Sequence, residues 1–429
     1  MPLYWFLLVI LSLACGSLPT AETTVWQAMV ASLGMILGWT LLAKLAAFHS
    51  LQTANDPHEI SWSAVRAFER QLSFFRWSGL AIGPLCLIGF GLAGVIDRCP
   101  PADASMAIRA SLLFCPALLL NGLLWWIELD FAAAHRLRDG GWKSAIRETL
   151  QVFRTQGAWL VIPVLLLLLL VDLIQCIPGV TAERSGWVLG LVAIVFVPLV
   201  LPHVIRGLWP TESIGNGPHA WLRQVCSACR MPSLSIRMWQ TGNRSGNALV
   251  VGFLPGFRFM LISDRLLNSL PADQLTMVAL HELSHLRRFH MPMRMLAVFP
   301  AFSLTLIGNH FAADYPIAEG LGLILGLLTA LGCLHLISYW TELDADRHAC
   351  RLAVGISASN ANAPQDLRAA TESLITALDS ITAGNAAAKK GSWLHPSIAR
   401  RKAALRHLAL PMQPVHLRDH ADITSAVPS

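Results

Sequence analysis

Long apolar stretches alternate with short polar ones along this chain, and eight of them reach or approach the length that a membrane-spanning helix needs. They cover 2–18, 25–43, 77–96, 110–127, 157–177, 187–205, 291–311 and 320–340. The first is the shortest. No Lys or Arg precedes it, so it reads as a retained span rather than a secretory signal. Between 208 and 271 the period changes. Segments 233–239, 247–252 and 257–263 alternate or run apolar in the manner of strands, with Gly-Asn and Pro-Gly turns between them. From Pro271 to His290, apolar residues at 275, 278, 279, 283 and 286 recur at helical spacing. Pro271 suits the first helical position, and Asp273 in the first turn complements the helix dipole. Farther on, Leu367, Leu374, Leu378 and Ile381 predict an amphipathic helix between linkers, either a connector or a cover for a cleft. The residues after Pro411 read as a disordered tail.

Composition agrees with the spans. The 429 residues are 54% hydrophobic and 14% charged, with mean hydropathy +0.53, which excludes an ordinary soluble protein. Lys and Arg concentrate at 44–76, 136–154, 206–294 and in the C-terminal region, and are sparse at 19–24, 97–108, 178–186 and 312–318. These two sets alternate across the eight spans, so the positive-inside rule places both termini and the 208–290 region in the cytoplasm. The net charge of +6 follows from that topology and leaves no nucleic-acid footprint. Glu128, Asp130 and Asp172 fall toward span ends, where they reach the interface, and Arg294 is placed to snorkel. The nine cysteines are scattered, several of them within spans, which favours reduced, structural thiols. Cys226 and Cys229 have metal or redox spacing but no second pair nearby.

The candidate chemistry lies in the helix that begins at Pro271. His281 and His285 are four residues apart and therefore on one helix face, where both imidazoles can reach one metal ion. Glu282, beside the first of them, can hold a water and take its proton. Catalytic zinc commonly takes two His and one Glu and keeps a position open. Arg288 and Met291 stand where a third-histidine motif would need Gly and His, which excludes that class. Glu342 and Asp346, again four apart on a helical stretch, supply the remaining parts. Glu342 completes a zinc site, and Asp346 accepts the free ring N–H of a ligand histidine. Asp344 points to the other side of that helix and is the weaker candidate. His335, two turns before Glu342, either faces the same cavity or packs. A plain solvated helix bearing two histidines is the bland alternative.

Several segments occur in one order: Asn247-Ala248, strand 259–263, the run 266–285 with His290 after it, Glu342 to Asp346, and His395-Pro-Ser-Ile-Ala-Arg-Arg401. Over about 215–410 they resemble the membrane zinc endopeptidases of the HtpX and CAAX prenyl endopeptidase family, which also places two spans between the HExxH helix and the glutamate helix. The resemblance implies His281, His285 and Glu342 as ligands of one Zn2+ per chain and Glu282 as general base. It implies Asp346 and Arg401 as supporting residues and matches His395 to the family's late His-Pro histidine. A tetrahedral oxyanion needs a donor, so His395 reads as that donor or as a reversible zinc ligand, and the strand edge at Asn247 and Ala248 reads as the substrate-binding edge. Three departures stand out. Six spans precede the catalytic region rather than two, Phe253-Leu-Pro-Gly256 is inserted after the edge strand, and Thr341-Glu-Leu replaces the usual aromatic beside the third ligand.

The sequence thus predicts a mainly α, polytopic membrane protein of about eight spans with a cytoplasmic zincin-like α+β catalytic domain carrying a small sheet. The expected divisions are an N-terminal membrane domain (1–207), a first catalytic part (208–290), two further spans (291–340), a second catalytic part (341–410) and a tail (411–429). The expected activity is zinc-dependent hydrolysis of peptide bonds in membrane or membrane-proximal proteins at a bacterial inner membrane. The alternative is a non-catalytic membrane sensor or scaffold that keeps a metal site.

Overall fold

The computed structural model describes residues 2–52, 62–134, 141–177, 198–214, 217–243, 245–297, 299–311, 317–383 and 389–409. It divides into two compact units, Met1–Pro210 and Thr211–Ser429. The expected span 187–205 lies mostly outside the described residues, as does the tail after Pro411.

Among the described residues the regular structure of the first unit is helical, and its hub is the helix Met106–Ala134. Helices Pro2–Cys15, Val25–Gln52, Trp62–Pro84, Trp142–Gln156 and Ala158–Gln175 all pack against it. Its apolar window is accordingly 56% buried, against 22–28% for the three other long apolar helices of this unit. Those exposed Leu, Val, Phe and Trp side chains suit a hydrocarbon surround, where an apolar face needs no protein partner. Helix Pro2–Cys15 has 14 residues, which span about 21 Å, short of a ~30 Å bilayer core. It packs instead through buried Tyr4, Trp5, Leu8 and Val9, and the Tyr4 hydroxyl donates to Asn121 Oδ1 at 2.9 Å.

Span limits shift from expectation where the backbone is constrained. The span expected at 77–96 lies at Val65–Gly89. It stops because Gly91 takes φ 75°, and a Cβ there would run into the Ala21 carbonyl. Asp172 is tied down at the end of its span. Its carboxylate accepts from Ser105 Oγ and from the amides of Met106 and Ala107, so one span caps the N-terminus of another. Glu128 pairs with Arg76 at 3.4 Å. Trp142–Gln156 is amphipathic, with Trp142, Ile146 and Leu150 exposed in one row beside Lys143, Arg147 and Arg154.

The second unit is built on a four-stranded sheet in the order β1-β2-β4-β3: β1 Thr211–Ser213, β2 Ser235–Trp239, β3 Ala248–Val251 and β4 Phe259–Ser263. β2 and β4 are parallel, and the other two pairs are antiparallel. Every residue of β4 is buried, as a continuous apolar run between two neighbours should be. β3 forms one edge and pairs with β4 from Ala248↔Ile262 to Val251↔Phe259. The insertion Phe253–Gly256 therefore sits in the turn beyond the strand and leaves the edge intact.

Helix Ala272–Arg287 follows, with Pro271 just outside it at the cap position rather than inside. It packs on β3 and on helices Leu222–Ala228, Ile317–Ile356 and Leu367–Ile381. The last of these, capped by Asp366 onto the Ala369 amide at 2.7 Å, buries Ala370, Leu374, Ala377 and Leu378. It is core, not a cover. The stretch expected as one span at 291–311 is two helices, His290–Leu296 and Phe299–Phe311, with Pro300 in the first turn of the second. A proline inside a continuous helix would lose an amide hydrogen bond and clash with the preceding turn, so a new helix starts there.

Helix Ile317–Ile356 has 40 residues. Its first part exposes Leu321, Ile324, Leu325, Leu328, Leu336 and Trp340. From Thr341 onward one face turns inward, with Ala345, Ala349 and Ala353 at 0% exposure four residues apart. These small side chains let the helix lie close to the His281 helix. In the hairpin with Phe299–Phe311, Gly322 meets the Gly308 backbone, another close approach that small residues permit.

Candidate active site

His281 and His285 leave their helix from the same face, and Glu342 meets them from the long helix. The separations are 3.3 Å between the two Nε2 atoms, 3.6 Å from His281 Nε2 to Glu342 Oε2 and 3.5 Å from His285 Nε2 to Glu342 Oε1. Among the described residues, this is the group of His, Cys, Asp or Glu whose ligand atoms all lie within 4.8 Å of one another. All three side chains are buried, at 8%, 8% and 3% exposure. Ligand atoms about 2.0–2.1 Å from a tetrahedral zinc would stand about 3.3–3.4 Å apart, so two imidazoles and a carboxylate here fit that ion in number, type and spacing.

Each histidine is held from behind through its other ring nitrogen. His281 Nδ1 lies 3.0 Å from Asp346 Oδ1. Asp346 in turn accepts from Arg401 Nε at 2.8 Å and from a second guanidinium nitrogen at 2.5 Å. His285 Nδ1 lies 3.0 Å from His290 Nδ1, and His290 Nε2 lies 3.0 Å from Asp344 Oδ2, which also accepts from Arg288 Nε at 2.8 Å. The sequence had marked Asp344 as pointing away from the site; it reaches the site through His290.

Electrostatics follow from burial and these partners. Burial alone would lower the His281 imidazole, but its hydrogen bonds to Asp346 and Glu342 reverse this and hold it up at about 9. Burial pushes His285 well below the ordinary imidazole range, and the neighbouring His281 adds to the effect. Glu282 is half-buried. Loss of water around its carboxyl raises it to about 7, against the pull of His281 and with the push of Glu342. A carboxylate near 7 is matched to taking up and returning a proton at neutral pH.

His395 stands at the open side. Its Nδ1 is 3.3 Å from Glu342 Oε1, yet its side chain is 54% exposed. The loop that carries it is closed by Gly391 at φ 81°, where a Cβ would meet the backbone of Ser397, His395 and Pro396 at 2.7–2.9 Å. The loop hangs from the long helix by two bonds: the His335 ring nitrogen to the Trp393 carbonyl at 2.7 Å, and the Tyr339 hydroxyl to the Ser392 carbonyl at 3.0 Å. His335, Tyr339, Glu342 and Asp346 recur at 4, 3 and 4 residues on one face, a polar stripe that was readable in advance.

Arg294 was missed. It does not snorkel; its guanidinium donates to Glu342 Oε1 and Thr341 Oγ1, both at 2.9 Å. No sequence pattern links it to Glu342, because the link depends on the break after Leu296. Asn247 and Ala248 lie at the start of β3, where the Asn247 amide donates to Ser263 Oγ at 3.1 Å and its carbonyl accepts from the Ser263 amide at 2.9 Å. Cys226 and Cys229 are buried, and burial pushes their thiols up to about 12 and about 11, against thiolate or metal chemistry.

Residues 219–409 match the model of peptidase family M48. The crystal structure of S. mikatae Ste24p resembles this chain with a TM-score of 0.51 at 15% identity, covering 90% of this chain and 100% of that one. The shared fold therefore extends past the family domain into the N-terminal helices that the sequence resemblance had left unmatched. None of the curated proteins matches the chain. The chain thus carries a peptidase M48 domain over residues 219–409, and among the described residues five helices are long and apolar enough to cross a bilayer.

Proposed function

We propose that this protein is a zinc-dependent endopeptidase that cleaves membrane or membrane-proximal proteins. The observation that carries the proposal is the convergence of His281, His285 and Glu342 within one tetrahedral spacing, with Glu282 next to the first of them. One Zn2+ held by these three residues would supply Lewis acidity and a water of lowered pKa. Glu282 then takes the proton from the attacking water and delivers it to the leaving amine. His395, the most exposed polar group at the site, donates to the oxygen that gains charge. Asp346 fixes the His281 tautomer, and Arg401 holds Asp346. The edge of β3 takes an extended peptide by main-chain hydrogen bonds from Ala248 onward, with Asn247, whose own amide and carbonyl are engaged by Ser263, setting the start of that edge.

The charge alternation supports a cytoplasmic site and cytoplasmic termini in a bacterial inner membrane. Residues 1–207 serve as the membrane domain, 208–290 and 341–410 as the two catalytic parts, and 291–340 as the intervening spans. The test is zinc per chain in detergent-purified protein, wild type beside Glu342→Ala, followed by a peptide-library cleavage screen with Glu282→Gln as the control. About one zinc in the wild type, its loss in Glu342→Ala and cleavage abolished in Glu282→Gln are expected. Zinc retained in Glu342→Ala, or cleavage that survives Glu282→Gln, sinks the assignment and favours a sensor or scaffold.

A further inference from the structure

His290 and Asp344 have no part in the chemistry proposed above, yet they join in an unbroken polar chain to one of its residues. We infer that His290 and Asp344 form a positioning pair that fixes the ring of His285 for metal binding; this rests on the reading of His285 as a metal ligand.

The proton positions follow from the ends of the chain. His285 turns Nε2 toward His281 and Glu342, so a ligand lone pair on Nε2 requires its proton to sit on Nδ1. That Nδ1–H points at His290 Nδ1, 3.0 Å away, which must then accept. The His290 proton is left on Nε2, where it is donated to Asp344 Oδ2 at 3.0 Å. Asp344 cannot donate in return, because it is a carboxylate held by Arg288 at 2.8 Å. One carboxylate at the far end thus sets the tautomer of both rings. His281 is served by a shorter version of the same arrangement, with Asp346 in direct contact.

The backbone supplies a separate observation. Phe289 takes φ 55°, ψ 34°, the left-handed region that a bulky side chain rarely adopts, while its own ring stays exposed. The strained turn ends the His281 helix and folds the chain back, so that His290 is buried at 0% exposure beneath His285. Strain at a residue whose side chain packs little is maintained by its surroundings, and here the turn brings His290 to His285. Ring contacts then confine His290, edge-on to His285 at 5.0 Å and to Trp340 at 5.9 Å.

The experiment measures zinc affinity and zinc release to a chelator in the full-length, detergent-purified protein. The variants are His285→Ala, His290→Leu, His290→Asn and Asp344→Ala. Leu fills the ring's space without an acceptor, whereas the Asn oxygen takes the place of Nδ1. We expect His285→Ala to lose zinc, and His290→Leu to bind it about 10–100-fold more weakly with faster release. His290→Asn should stay within about threefold of wild type, and Asp344→Ala should weaken binding about tenfold, because His290 is then free to present a proton to His285. Asp344 is partly exposed, so Asp344→Ala carries the test if His290→Leu does not fold. Wild-type affinity in both His290→Leu and Asp344→Ala, with zinc lost from His285→Ala, overturns the pair and leaves the metal site standing. Equal damage from Leu and Asn points to ring volume and also overturns it. Full zinc binding by His285→Ala overturns both readings.

Discussion

Arg401→Ala would isolate a carboxylate that cannot reach water. Arg401 is 9% exposed and Asp346 1%, and their two bonds at 2.8 and 2.5 Å are the side-on, bidentate kind that only a guanidinium makes. Once the guanidinium is gone, Asp346 keeps His281 at 3.0 Å as its remaining close partner. Removing one member of a buried pair costs about 3–5 kcal/mol, because the other charge stays buried without its partner. For a unit the size of Thr211–Ser429, each kcal/mol is worth about 2–4 °C, so the apparent Tm should fall by roughly 6–20 °C. The assay is thermal unfolding in detergent at one scan rate, since unfolding there is a rate-dependent quantity. A double variant, Asp346→Leu with Arg401→Met, removes both charges and should recover at least half of the loss. A fall of less than about 3 °C for Arg401→Ala, or a double variant whose loss equals the sum of the two single losses, would refute the reasoning.

Asp264 is partly exposed; burial is the largest single influence and pushes its carboxyl up, but hydrogen bonds from Thr241, Asn243 and Arg265 together outweigh it and hold the group below the ordinary range. A depressed carboxylate stabilises the fold above its unfolded pKa and loses that contribution as pH falls through the folded one. Asp264→Asn should therefore cost about 1–2 kcal/mol at pH 7, and its gap from wild type in pH-dependent melting should close below about pH 4. Cys226 and Cys229, with thiols at about 12 and 11, should resist alkylation in the folded protein, and the Cys226→Ser, Cys229→Ser double variant should keep its zinc, as read by alkylation mass shifts and metal analysis. Gly391→Ala forces a left-handed residue into the Ser397 and His395 backbone, so peptide cleavage should drop about 10–100-fold with zinc content unchanged.

The parts of the site that were legible are those whose geometry is set within one helix. His281 and His285, or Glu342 and Asp346, share a face because four residues make about one turn, and tertiary structure has only to bring the two faces together. β2, β3 and β4 were legible for a similar local reason, since turn residues and apolar runs mark each one, whereas β1, Thr211-Glu-Ser213, has no apolar residue and was not. Arg294 and the role of Asp344 were not. Both depend on the left-handed turn at Phe289 and on the helix end after Leu296; nothing in the sequence marks Phe289 for a positive φ, and Pro300, in the first turn of its helix, says that a helix starts there but not where the chain goes. The spans divide in the same way. Apolar length finds Val25–His49 and Ala158–Gln175, but it cannot see that Gly91 ends one helix or that Pro300 divides another.

The long helix Ile317–Ile356 ties the site to the bilayer. Trp340, 50% exposed, ends the apolar stretch, and the buried one that holds Glu342 begins at Thr341. Two residues rise about 3 Å along a helix, so a metal held by Glu342 would sit within a few ångströms of the level where the aromatic side chain meets the interface. Nothing flexible intervenes, because both residues belong to one unbroken helix. A loop-borne glutamate could drift relative to the apolar stretch, whereas this one keeps a fixed distance from Trp340 and Leu336. His335 and Tyr339, on the same rigid rod, set the His395 loop at that level too. That rigid link supports the proposed preference for substrates whose scissile bond lies at or just beyond a membrane surface.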